Sequence, residues 1–153
     1  MSWEDEELAE YEERQVAASQ RNAFSAKTIS LLEQRHVQDW HALRTDVLDR
    51  FHIINEKALR DVTTSLTPRP SELWIRREDG VDLRARYVGE TKTATFSCEA
   101  PPFVEISFEL AVRPVNGSAA VVWRTVGARP ETVSRDEITK EVVSSFLRAG
   151  TML

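Results

Sequence analysis

From Trp40 the apolar residues recur in steps of three, four and four: Trp40, Leu43, Val47, Phe51, Ile54, Ala58 and Val62. A repeat of eleven, about 3.67 residues per turn, keeps such positions in a nearly straight stripe along one helical face. Arg44, Asp46, Asp49, Arg50 and Lys57 fill the other sides. Upstream, Phe24, Ile29, Leu31 and Leu32 continue an apolar face less regularly, and before Val16 the pattern fades. The spacing predicts a strong helix over about 29–65 and a weaker one over about 3–27. All five glycines and all six prolines lie at or beyond Pro68. A helix interior loses about 1 kcal/mol to glycine and about 3 kcal/mol to proline, so nothing upstream of Pro68 forces an interruption. Residues 1–67 are therefore either one rod of roughly 90 Å or a hairpin turning where Ser19, Gln20, Asn22 and Ser25 weaken the pattern. As a rod, the arm outruns any sheet beside it. Trp40, Leu43, Val47, Phe51 and Ile54 then become the candidate interface of a homo-oligomer.

Beyond Pro68 the period changes. Pro68 and Pro70 end the helix and bias their neighbours to extended backbone, so residues 68–72 read as a linker into a second unit, residues 73–153. Five segments follow with strand patterning: Leu73 to Arg77, Val81 to Val88, Thr93 to Glu99, Val104 to Val112 and Ala119 to Val126. Turn chemistry separates them at Asp79-Gly80, Gly89-Glu90, Pro101-Pro102 and Asn116-Gly117. Register follows from keeping apolar residues together. A three-residue loop with Gly80 left-handed sets Ile75 opposite Leu83 and Leu73 opposite Ala85. On the other face Arg76 then meets Asp82, Trp74 meets Arg84 and Glu72 meets Arg86. A two-residue Asn116-Gly117 turn sets Leu110 opposite Trp123, Val112 opposite Val121 and Phe108 opposite Thr125, with Glu109 facing Arg124 on the wet side. Ser134 and Glu137 have capping-box spacing, Ile138, Val142 and Phe146 form an apolar face, and Gly150 stops the helix. The expected fold class is α+β: a long N-terminal helical arm, a five-stranded antiparallel meander, and a C-terminal helix packed on one sheet face.

Composition changes the picture mainly through where charge lies. The chain has 153 residues and a net charge of -5. Glu4, Asp5, Glu6, Glu7, Glu10, Glu12 and Glu13 form an acidic tip without a base, whereas the signs balance beyond Pro68. Acids suit a helix N-terminus and can also dock a basic partner. The absence of a broad basic field argues against nucleic acid as the main partner. The start has no export signal, and the apolar run Ala119 to Trp123 is far short of the roughly 20 residues of a membrane helix. Cys98 is the only cysteine, which excludes an internal disulfide and a cysteine-rich zinc site. A cytoplasmic location away from membranes is expected.

Candidate chemistry is sparse. No histidine follows His52, and neither a nucleophile elbow nor a phosphate-cradling glycine loop occurs, so no catalytic residue and no cofactor is expected. Glu33-x-x-His36 and Asp49-x-x-His52 resemble carboxylate–histidine metal units. Their sixteen-residue offset leaves them about 160° apart on one helix, so they cannot share a metal there. The leading expectation is a non-enzymatic intracellular module that oligomerises or binds a protein partner through the stripe. Two alternatives stand beside it: a cup for a small apolar ligand lined by Phe96, Phe108 and Trp123, and an anion- or nucleic-acid-binding face made by Trp74, Arg76, Arg84 and Arg86.

Overall fold

A computed structural model describes residues 2–66 and 69–150, the side chains of residues 22–25 apart. Met1, Pro68 of the expected linker, the side chains of Asn22, Phe24 and Ser25, and residues 151–153 lie outside the described residues. The arm is one unbroken helix, α1 (Trp3–Ala58), about 84 Å long at 1.5 Å per residue. It ends earlier than the apolar stripe suggests. Leu59 adopts the left-handed conformation (φ 55°), and its N–H and that of Arg60 close onto the carbonyls of Glu56 and Asn55. The Asn55 side chain then holds both backbone groups of Thr63, donating to its carbonyl at 2.8 Å and accepting from its N–H at 3.0 Å. Residues 63–65, expected as helix, are thereby drawn, with Leu66, into a strand that suits the β-branched pair Thr63-Thr64.

The sheet has seven antiparallel strands rather than five: β1 (Thr63–Leu66), β2 (Glu72–Arg77), β3 (Asp82–Val88), β4 (Thr93–Ser97), β5 (Ile106–Val115), β6 (Ser118–Thr125) and β7 (Thr132–Val133). They lie side by side in chain order. The two additional strands are the edges, too short to show alternation. Every register reasoned from the turns is present: Ile75 with Leu83, Trp74 with Arg84, Arg76 with Asp82, Leu110 with Trp123, and Glu109 with Arg124. Gly80 sits at φ 90°, and Asn116 and Gly117 both have positive φ, as a two-residue hairpin turn requires.

One sheet face carries both helices. α2 (Arg135–Arg148) starts at the expected capping box, with Ser134 Oγ accepting from the Glu137 N–H at 3.1 Å. Phe51 of α1 meets Phe146 of α2 edge to face at 5.7 Å, and Trp40 stacks on Tyr87 of β3 at 5.4 Å. Two ion pairs, Arg135–Asp46 at 3.3 Å and Arg50–Asp136 at 3.7 Å, bind the helices further. The core draws on both sides of Pro68, so the division into an arm over 1–67 and a sheet unit over 73–153 is not a division in packing. Trp40, Leu43, Val47 and Phe51 are at most 2 % exposed, and Ile54 is half-buried against them. The stripe expected to serve an oligomer is thus covered by the chain's own sheet and second helix. Each large side chain buried this way contributes about 1.5–3 kcal/mol to folding.

A buried cation fastens the far end. Arg77 alternates inward on β2, lies over the Phe146 ring at 5.6 Å and donates to the Phe146 carbonyl at 2.7 Å. Its other nitrogens grip Asp79 at 2.8 and 2.6 Å. A buried guanidinium needs such partners, and the α2 carbonyl end is where a cation is favoured.

Candidate functional site

The N-terminal half of α1 leaves the domain. Its last cover is the β5–β6 hairpin, where Gly117 to Ala119 share a cleft with Lys27, Thr28, Ser30, Leu31 and Gln34. Upstream, among residues with described side chains, every side chain is exposed except half-buried Ala18. Trp3, Leu8, Tyr11, Val16 and Ile29 are each more than half exposed. Trp3 and Val16 lie about 80° and 140° from the azimuth of Val47, but the others are ordered. At about 100° per residue, Tyr11, Ala18 and Ile29 fall within about 20° of the azimuth of Val47, and Leu8 within about 60°. The face that is core farther along therefore continues outward without cover. The sequence pattern alone hides this because small and polar residues interrupt it, and only the helix's continuity ties the two stretches to one azimuth.

Charge along this stretch is segregated. The acidic tip gives way to residues 14–32, which contain Arg14, Arg21 and Lys27 and no acid. Among the described residues none of these three cations has an ion-pair partner.

The outer sheet face brings together the four residues expected there. The Arg84 guanidinium lies 4.3 Å above the half-buried Trp74 ring, and that of Arg76 lies 5.4 Å away. Asp82 accepts two bonds from Arg76, at 2.9 and 3.3 Å, and sits 3.8 Å from Arg84. The bonding from Arg76 holds the Asp82 carboxyl below its usual range. Arg86 is exposed and has no ion-pair partner among the described residues. A shallow cleft of about 370 Å³ joins Trp74, Arg84 and Arg86 to the hydroxyl residues Thr95 and Ser97. One end of the constellation is a neutralised ladder and the other is an open cation.

Where the arm enters the domain, the histidine–carboxylate motif is spent on structure. His36 Nδ1 bonds the Tyr87 hydroxyl at 2.8 Å, and Lys92 Nζ pairs with Glu33 at 2.6 Å while donating to the Gly89 carbonyl. The Lys92 bond lowers the Glu33 pKa, and burial raises that of Tyr87. His52 pairs with Glu56 at 3.1 Å in solvent. Among the described residues no group of three or more histidine, cysteine or acidic side chains gathers as a metal set. Cys98 is half-buried just past β4. Phe96 and Phe108, expected to line a cup, are fully buried and pack edge to face at 6.3 Å. Among the described residues no helix is long and apolar enough to cross a membrane. No family model, no curated protein and no solved structure matches this chain.

Proposed function

We propose that this protein is an assembly module in which the sheet and α2 anchor one half of α1, and the other half is the helix by which the chain docks onto a protein surface. One observation carries the reading: the face buried from Trp40 to Phe51 continues uncovered through Ile29, Ala18, Tyr11 and Leu8. Helices gain most of their stability from packing an apolar face, so this stretch is stabilised when a second surface covers it. Sedimentation across a wide concentration range tests it. The native chain should assemble, and Leu8→Asp with Tyr11→Asp should return it to the mass of one chain with its unfolding transition unchanged. A native chain that stays single throughout removes self-assembly. Assembly that survives the double substitution moves the interface off the arm.

A second reading rests on the open end of the outer face. Arg86 without an ion pair among the described residues, Arg84 stacked on Trp74, and the nearby hydroxyls are the parts with which a sheet holds single-stranded nucleic acid. Replacing Arg84 and Arg86 by alanine should then weaken oligonucleotide binding and flatten its salt dependence. No binding by the native chain at low salt excludes it.

A further inference from the structure

We infer that the surface covering the arm is the same arm of a second copy, running antiparallel about a two-fold axis near Glu13. This rests on the docking reading above and adds to it a partner and a direction. Charge order supplies the first argument. At about 100° per residue, Glu7, Glu10, Arg14 and Arg21 fall in a band about 60° wide, centred about 70° to one side of the azimuth of Val47. That flank is acidic in its first half and basic in its second. In an antiparallel pair each flank faces its own reverse, so acidic halves meet basic halves. A parallel pair sets the seven acids of one tip beside the seven of the other, and like charges at close quarters oppose association.

Register supplies the second argument. A two-fold at Glu13 places Leu8 of one copy opposite Ala18 of the other, a large side chain over a small one, and does so twice by symmetry. Tyr11 comes opposite Gln15. Arg21 falls within two residues of Glu7 of the other copy, and Arg14 within two residues of Glu10, offsets of about 3 Å along the axis. The overlap runs from Trp3 to position 23 and ends before Lys27, where the β5–β6 hairpin begins to cover the helix. Neither sheet domain stands in the way. Arg14 and Arg21, which lack ion pairs among the described residues, gain carboxylates in the pair.

Charge exchange and a distance measurement test this on the full chain. Arg14→Glu with Arg21→Glu makes the whole flank acidic and should raise the dimer dissociation constant at least about tenfold, since the cross-pairs change from unlike to like. Adding Glu7→Arg and Glu10→Arg reverses the charge order and should restore the native value. Spin labels at Glu6→Cys, in a Cys98→Ser background, should lie about 20 Å apart along the axis in the antiparallel pair and level with each other in a parallel one. A native dimer with the long distance and charge rescue supports the inference. A native assembly with the short distance, or with an affinity indifferent to the exchanges, overturns it while leaving the arm as a docking helix. A native chain that stays single overturns the inference and removes self-assembly, leaving only a different protein as the arm's docking surface.

Discussion

Val47 and Tyr11 share nearly one azimuth on α1, yet Val47 is fully buried and Tyr11 is 54 % exposed. The difference comes from the sheet rather than from the helix. Seven strands about 4.8 Å apart make a platform roughly 30 Å wide, and a helix of 56 residues is nearly three times longer. The half lying on the platform is core, and the half beyond it keeps the same face in water. Burial along this helix is thus set by what lies beneath each turn.

The largest expected effect breaks the covered half. Val47→Asp sets a charge among Trp40, Phe51 and the sheet without a partner, and should abolish the cooperative unfolding transition seen by calorimetry. Val16→Asp, on the uncovered half, should leave that transition in place. Within the sheet, Trp123→Ala should cost about 3–5 kcal/mol in denaturant unfolding, because it empties a site shared with Leu110 and Tyr87. Arg77→Ala should cost about 1–3 kcal/mol by releasing the α2 carbonyl end, with the loss visible as faster amide exchange in the last turn of α2.

The pair that Arg77 makes with Asp79 has a pH signature. The guanidinium lowers the Asp79 pKa, so its contribution is present above the usual carboxylate range and is lost as pH falls through the folded value. Asp79→Asn should flatten that acid limb of the stability curve. The smallest effect is expected of Glu109→Ala on the wet face, under about 1 kcal/mol, since its 2.7 Å bond with Arg124 is partly solvated. If Glu109→Ala proved costlier than Trp123→Ala, the assignment of inner and outer sheet faces would have to be reversed.

Strand register was legible because Gly80 and Asn116-Gly117 dictate turn length, and turn length dictates which residues face each other. The α2 cap was legible from Ser134 and Glu137 alone. β1 and β7 were not, since two to four residues cannot display a period, and the cause of the helix stop, Asn55 gripping Thr63 eight residues on, leaves no local pattern. The stripe from Trp40 to Phe51 was legible as apolar but not as covered, because a periodicity does not say which surface meets it. The Trp74 cluster was legible in its register, in the Arg76–Asp82 pair and in the Arg84–Trp74 stack, but not in the expected Glu72–Arg86 ion pair, which does not form among the described residues. Arg86 is the arginine left open, because Asp82 lies between Arg76 and Arg84 while Glu72, opposite Arg86, does not pair with it among the described residues.

The contrast between the two halves of α1 is tested most directly by residue-resolved amide exchange of the native chain at two concentrations well apart. Amides of residues 40–55 should be protected equally at both, because their cover belongs to the same chain. Those of residues 6–20 should gain protection as concentration rises, because their cover belongs to another. Exchange over residues 6–20 that is fast and identical at both concentrations would contradict the account.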